Sequence, residues 1–437
     1  MPGYLERRNR PKARRAKLSK EAAAAPEHAA AHFDRGAIHM AAGKADLAEA
    51  CFRRALKHEP NFTEAHVQRA FALRALGRLP EAIEAFGRAL SLNPDDLEVS
   101  FHLSKTYFAN KEFPKAIEQA RRTVEIDPTH PLSNIYLVNL IDEVVSDWHV
   151  PMMNDAHRND AYQAALARAI RPDTRVLEIG TGGGLLALMA ARCGPQCVTT
   201  CETVTALAET ARKIVSANGY GDRITVVAKH STALEIGADM AEKADLMISE
   251  ILSNEFLYEG VVPSLKDAQR RLLKPGGQII PAAGSIKVAL LGGEAAAPYL
   301  RVDDICGFDM REFNAVVSRK KIIPAKYFDG ELLSDDTTAF TFDFTSLDTI
   351  SVEKKTLRIP VRSAGLCYGI IQWFHLQMDD AVEFENHPAI EKPATSWTYP
   401  VYLFDQPINV ENGQVAIVTA SHDRMAPWFN LQEIVPA

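Results

Sequence analysis

The spacing of apolar residues along this chain follows three rhythms in turn. Over about residues 29–146, small and aromatic residues recur at helical spacing, and the pattern itself repeats. "ALKHEP", "ALSLNP" and "TVEIDP" set Pro60, Pro94 and Pro128 34 residues apart. Counting back from each proline, Ala48, Ala82 and Ala116 share one position. Ala55 and Ala89 share a second, where the third unit has Thr123, and Phe52 and Phe86 a third, where it has Ala120. Small residues let antiparallel helices approach, the aromatic fills the gap to the next unit, and proline ends each one.

From Trp148 that period vanishes. "TRVLEIG", "CVTTCE", "ITVVAK" and "ADLMISE" are short β-branched and apolar runs alternating with helical stretches such as "TVTALAETARKIVSANGY". This alternation predicts a parallel sheet with helices on both faces. After "LLKPGGQIIP" the rhythm changes again. "GSIKVALLG", "AFTFDFTSL", "KTLRIPVRSAG", "YGIIQWFHLQM", "PVYLFDQPINV" and "GQVAIVTA" predict antiparallel strands of a β-barrel or sandwich. The 34-residue period resembles tetratricopeptide (TPR) repeats, three of them with a capping helix over 29–146. The expected order is thus an α-helical TPR solenoid, an α/β Rossmann-like domain over 147–281, and an antiparallel β-barrel or sandwich over 282–437.

Composition narrows the possibilities. A chain of 437 residues suits about three domains, and 47% hydrophobic with 24% charged residues is ordinary for a globular protein. No run approaches the roughly 18 apolar residues of a membrane span. The N-terminus lacks the apolar core of a secretory signal, and a cytoplasmic location is expected. Residues 1–20 carry eight Lys or Arg against Glu6 alone, so the 49 basic and 56 acidic residues leave the remainder fourteen charges negative. An acidic body suits a basic peptide better than nucleic acid, which only the tail over 1–28, expected to be disordered, could touch. Cys193, Cys197 and Cys201 straddle a helix end and a strand start and cannot converge on a metal; buried free thiols are expected and no metal site.

"VLEIGTGGGLL" follows a strand and opens a helix, where glycines allow a ligand close to the backbone. Gly180, Gly182 and Gly184 give G-x-G-x-G, and Leu185 stands where the dinucleotide fingerprint needs its third glycine. The loop alone leaves NAD and S-adenosylmethionine open. Glu178, just before the glycines, suits the charged methionine end of the latter, and Glu202, ending the next strand, suits both ribose hydroxyls. In "MMNDAHRNDAYQAAL", helical spacing sets Asp155, Arg158 and Tyr162 one turn apart. Arg158 can take a cofactor carboxylate with two parallel hydrogen bonds. "SEILSNEFLYEG" sets Glu250 and Glu259 nine residues apart among apolar neighbours, a costly place for carboxylates unless a cation meets them.

Together these segments resemble the protein arginine methyltransferase family over about 147–437. "MMNDAHRNDAY" is similar to its helix over the cofactor, "VLEIGTGGG" to its glycine motif, and "SEILSNEFLYE" to its double-glutamate loop. "CGFDM" (306–310) resembles the start of its dimerisation arm and "TSWTYPVYLFDQP" its Thr-His-Trp loop. "NDAHRN", "KHST" and "EG" at 259–260 resemble the members with two tandem modules, one of which bears N-terminal TPRs and whose products are monomethyl- or symmetric dimethylarginine. The resemblance implies a homodimer through an arm over about 304–330 and S-adenosylmethionine as cofactor. It assigns Glu250 and Glu259 to a clamp on the substrate guanidinium. Asp155, Arg158, Glu178, Gly180, Gly182, Gly184, Glu202 and Ser231 fall on the cofactor side; Tyr162, Ser396 and Trp397 fall on the substrate side. Thr232 replaces a frequent glutamate and Ser396 the histidine, whereas Glu255 is expected at the loop surface.

The implied activity is methyl transfer to arginine in a basic protein or peptide, with the TPRs recruiting substrate or a protein partner. The alternatives are a TPR scaffold with an inactive module, or methylation of a non-protein substrate. Arg8-Asn9-Arg10 is a candidate automethylation site.

Overall fold

The computed structural model describes residues 29–325, 328–389 and 397–437. Ser396 and the basic tail, with Arg8 and Arg10, lie outside the described residues. After Ser146 the chain divides into two compact units.

The first unit pairs α1 (Ala29–Ala41) with α2 (Ala45–His58), α3 (Thr63–Ala75) with α4 (Leu79–Leu92), and α5 (Leu97–Ala109) with α6 (Phe113–Ile126), followed by α7 (Pro131–Val144). Pro60, Pro94 and Pro128 each sit two residues beyond a second helix, where a ring that cannot continue a helix terminates it. Asp96 starts α5 by accepting a 3.1 Å bond from the Val99 amide. Ala48, Ala82 and Ala116 are fully buried, as are Phe52 and Phe86. Thr123, the polar exception, shares a 2.8 Å bond with Ser100 and donates to the Gln119 carbonyl, so its burial is compensated. The last helix departs from a polar cap: Leu132, Ile135 and Val138 are exposed.

The second unit opens with α8 (His149–Met153) and α9 (Ala156–Ala169). A parallel five-stranded sheet follows, ordered β3-β2-β1-β4-β5: β1 (Arg175–Ile179), β2 (Cys197–Cys201), β3 (Ile224–Val227), β4 (Ala244–Ser249) and β5 (Leu273–Ile280). Helices α10 (Leu185–Arg192), α11 (Thr205–Ala217) and α12 (Val261–Arg271) connect its strands. Strand order reverses between β1 and β4, and ligands bind at the carboxyl ends of strands flanking such a reversal.

Beyond β5 an antiparallel sheet is built on β6 (Ala283–Gly292), β13 (Gly365–Gln377), β15 (Thr398–Val410) and β9 (Lys320–Pro324), with a hairpin of β7 (Asp304–Ile305) and β8 (Phe308–Asp309) before β9. Short β10 (Glu331–Leu332) and β11 (Thr337–Asp343) also pair with β6, and β14 (Glu383–Glu385) pairs with β13. Strands β12 (Glu353–Pro360), β16 (Gln414–His422) and β17 (Pro427–Pro436) form a second sheet. The two halves divided at 281/282 by their sequence rhythm share one apolar core. Phe256, from the loop after β4, is wholly buried among Phe342, Phe344 and Phe374.

All six cysteines are free, and Cys197 and Cys201 end one strand rather than converging with Cys193. Among the described residues no helix is long and apolar enough to cross a membrane.

Candidate active site

The site forms where β1, β2 and β4 end. After β1 the chain enters Gly180 at φ +90° and Gly182 at φ +48°, a region costly for a residue with a Cβ. A Cβ on Gly180 would lie 2.6 Å from Ile251 Cγ2, so this glycine lets the two strand-end loops touch. Gly184, also left-handed, caps α10.

Glu202 shapes the loop. It accepts 2.9 Å bonds from the amides of Gly182 and Val204, and a 3.3 Å bond from the Thr203 hydroxyl. A carboxylate offers about four acceptor positions, so in this arrangement one remains.

Glu178 is buried, and neither carboxylate oxygen makes a close hydrogen bond, although the Thr200 hydroxyl and the Ala187 amide lie near enough to favour its charged form. Burial pushes its carboxyl up to about 8. Ser231 opens a short 3-10 turn after β3, with its hydroxyl buried and unbonded; Arg271 holds its carbonyl at 3.1 Å.

Asp155, placed on a helical face by its spacing, instead caps α9. Its Oδ1 accepts a 3.1 Å bond from the Arg158 amide and its Oδ2 is buried without a partner. The Arg158 guanidinium, only 3% exposed, donates at 2.9 Å to Glu250 and at 2.8 Å to Asn159, which leaves Nε unbonded. The arginine expected on the cofactor's carboxylate therefore neutralises the first clamp acid here. These two bonds use two of its five N–H donors, so donors including Nε remain for a cofactor carboxylate.

The double-glutamate loop is asymmetric. Glu250 is buried, and that burial raises its carboxyl; Arg158 opposes the shift and Glu259 adds to it. Glu259 is exposed overall, though partial burial of its carboxyl raises it against the opposing effect of His149. Only one acid of the expected buried pair is buried.

Two expectations about these residues need correction. Tyr162 does not face a substrate: it is fully buried, donates a 2.9 Å bond to the Ser249 carbonyl at the end of β4, and underlies the Arg158 guanidinium. It positions Glu250 through the backbone. Glu255 is not a free surface acid, because it is partly buried and ion-paired with Lys320 of β9. Leu252, Phe256 and Leu257 anchor the loop in the core, and Tyr258 is exposed.

Trp397 is 7% exposed and packs edge-on against Phe374 at 4.7 Å. Its neighbour Thr398 donates a 2.8 Å amide bond to Asn254. The Asn254 carbonyl accepts a 3.4 Å bond from Gln372, whose side chain accepts one at 3.0 Å from Tyr402. Sequence reasoning missed Asn254 and Gln372, as it missed His149, which packs near Gly182 and acts electrostatically on Glu259. The polar Asn254 between the acids was the one available signal.

The residues fit S-adenosylmethionine. Buried atoms without a close hydrogen-bond partner occur on Asp155, Arg158, Glu178 and Ser231, the positions assigned to that ligand, and they include acids for its ammonium and a cation for its carboxylate. Among the described residues no cluster of His, Cys, Asp or Glu could hold a metal.

Comparison with known proteins bears on both units. Tetratricopeptide repeat models match residues 29–62 and 67–131, and a model described as ribosomal protein L11 methyltransferase (PrmA) matches 163–287. An arginine N(omega)-methyltransferase of Streptomyces achromogenes is 33% identical over 271 residues, covering 62% of this chain and 74% of that protein. Protein arginine N-methyltransferase 7 of Aedes aegypti is 26% identical and that of Drosophila melanogaster 27%, each over 67% of this chain. The chain spans about half the length of those two, 49% in each case. The fold is shared with the Trypanosoma brucei PRMT1 enzyme–prozyme heterotetramer with AdoHcy, at TM-score 0.56 and 21% identity, over 64% of this chain and 89% of that one. Arabidopsis thaliana protein arginine methyltransferase 10 aligns at TM-score 0.50 and 19% identity, over 65% of this chain and 96% of its own.

Proposed function

The chain belongs to the protein arginine N-methyltransferase family, and we propose that its second unit transfers a methyl group from S-adenosylmethionine to a guanidino nitrogen of arginine. The observation that carries this reading is the asymmetric clamp: Glu250, buried and fixed by Arg158 and Tyr162, with Glu259 on the same loop within electrostatic reach.

S-adenosylmethionine supplies a methyl group on a sulfonium sulfur. The protein aligns a guanidinium nitrogen with that S–CH₃ axis, and orientation of this kind yields effective molarities of about 10⁵ M or more. Guanidinium is a weak nucleophile because its lone pairs are delocalised. Two carboxylates on different edges of its fork fix its orientation and favour positive charge on the nitrogens not being methylated. A lysine ammonium, as a point charge, cannot use both planar acceptors. The methylated nitrogen becomes more acidic and loses a proton to a clamp carboxylate or to water.

The substrate is an arginine in a basic protein segment, which suits the acidic body of the chain. The Streptomyces relative is named for arginine itself, so free arginine is the second substrate to test. Incubation with methyl-labelled cofactor and either an arginine-rich peptide or free arginine, followed by acid hydrolysis, is expected to give methylarginine from the peptide. Label on lysine, or on nothing in either arm, contradicts the reading.

A homodimer is part of this proposal. The hairpin β7 (Asp304–Ile305) and β8 (Phe308–Asp309), with the 3-10 turn Arg311–Val316, exposes Ile305, Phe308, Met310, Phe313 and Val316. An apolar row this dense on a projecting arm is suited to burial against a second copy.

A further inference from the structure

The helical unit carries a cationic centre that the methyl-transfer reading does not use. Its parts come from the first helices of the second and third pairs and from the last helix: Arg74 from α3, Phe101, His102 and Lys105 from α5, and Tyr136 from α7. Arg74 Nη1 lies 3.3 Å from His102 Nδ1, the one hydrogen-bond partner of its side chain among the described residues. Lys105 Nζ sits 5.4 Å from the centre of the Phe101 ring and 5.9 Å from that of Tyr136. Phe101 and Tyr136 meet edge-on at 5.0 Å, which joins α5 to α7 across this surface.

The missing element is a counter-ion. Elsewhere in the unit Arg53 and Arg69 meet Glu49, Arg78 meets Glu81, Arg122 meets Asp95, and Lys115 meets Glu112, while Arg54, Arg88 and Arg121, which have no such pair among the described residues, stand exposed to water. Neither Arg74 nor Lys105 has a carboxylate partner among the described residues. Glu98 approaches His102 Nε2 at 3.9 Å, not either cation. Arg74 is half-buried, and burial pulls its guanidinium below the ordinary range. His102 is held neutral, its value lowered to about 4 by burial and then by Arg74 and Lys105. A neutral ring can accept a bond from Arg74 but cannot balance its charge. A partly desolvated guanidinium without an anion is costly, and a carboxylate arriving in the plane of its fork relieves that cost.

We propose that the face formed by α3, α5 and α7 binds an extended acidic segment of a partner protein, whose Asp or Glu side chains meet Arg74 and Lys105. The aromatic rings of Phe101 and Tyr136 flank the cations and supply apolar contact for the stems of those side chains. Repeat solenoids present extended surfaces of this kind to peptides. A segment rich in arginine is repelled here, so the helical unit and the methyl-transfer site select opposite charges. The inference stands whichever reaction the second unit catalyses.

The test uses the full-length chain and fluorescence anisotropy of labelled peptides about ten residues long, with spans set by the ~3.3 Å rise of an extended chain. One is rich in Asp and Glu with an amidated C-terminus, a second replaces those acids by Asn and Gln, and a third is the second with a free C-terminal carboxylate. The amidated acidic peptide is expected to bind and to weaken with added salt. Arg74→Gln and Lys105→Gln are each expected to reduce its affinity about tenfold, the loss of one charge-assisted contact. AdoHcy binding by the second unit should be unchanged in both. Equal binding of the Asn/Gln peptide overturns the proposal, as does binding only of the free C-terminal form, or wild-type affinity in both variants. Should a variant melt early, the wild-type comparison of the acidic and Asn/Gln peptides decides alone.

Discussion

Burial distorts the chemistry of Glu178. Its carboxyl titrates at about 8 in the folded chain against an ordinary 4.5. Between those values the folded protein holds a proton that the unfolded chain has lost. Its contribution to stability is therefore complete below about pH 4.5 and is lost as pH rises toward 8. A ligand ammonium reverses the preference, because it favours the carboxylate. AdoHcy binding near neutral pH is therefore expected to release a proton. Calorimetry in two buffers of different ionisation enthalpy reads this directly, and Glu178→Gln should abolish it. Equal proton release by wild type and variant would remove Glu178 from the cofactor site. The position of Glu178 was legible in the sequence, since it ends a strand before glycines. Its protonation was not, because burial from every side is a property of the packed site.

At the level of elements, the glycine loop and the double-glutamate loop are one assembly. Gly180 touches Ile251, Tyr162 of α9 holds the end of β4, and Asn254 is tied to β13 and β15. Gly180→Ala would set a Cβ 2.6 Å from Ile251 Cγ2 at a φ of +90°. Its expected cost is about 1–3 kcal/mol of stability, with AdoHcy affinity lost as the loops part; unaltered melting and binding would show that they do not touch. Strands and the glycine loop are legible locally, because each is a run of consecutive residues with its own period. The roles of Tyr162 and Glu255 are not. Spacing places Tyr162 one turn from Arg158 but cannot tell which side meets β4, and the Glu255 partner, Lys320, is 65 residues away. Spacing likewise suggests Arg158 as a cofactor ligand and is blind to its pairing with Glu250, which spans 92 residues.

For the whole molecule, the 34-residue period alone is enough to identify the helical unit, because every repeat restates the same packing problem. The second unit is harder. A change of strand rhythm suggests a division at 281/282, whereas Phe256 crosses it to lie among Phe342, Phe344 and Phe374. The arm is recognisable in the sequence only by resemblance, and it exposes Phe308 and Phe313. Sedimentation is expected to show a dimer that Phe308→Glu dissociates, since a buried carboxylate opposes association. A wild-type monomer at micromolar concentration would exclude the arm as an interface.

The clamp itself is the central claim, and substitution of its two acids examines it most directly. Glu250→Gln and Glu259→Gln keep shape and remove charge, and AdoHcy affinity and methyl transfer to an arginine peptide are measured side by side. Each variant is expected to retain AdoHcy binding while its turnover falls by about 10²-fold or more, the scale of losing a preorganised electrostatic contact. Turnover within tenfold of wild type in either variant, or loss of AdoHcy binding in step with turnover, would contradict the clamp.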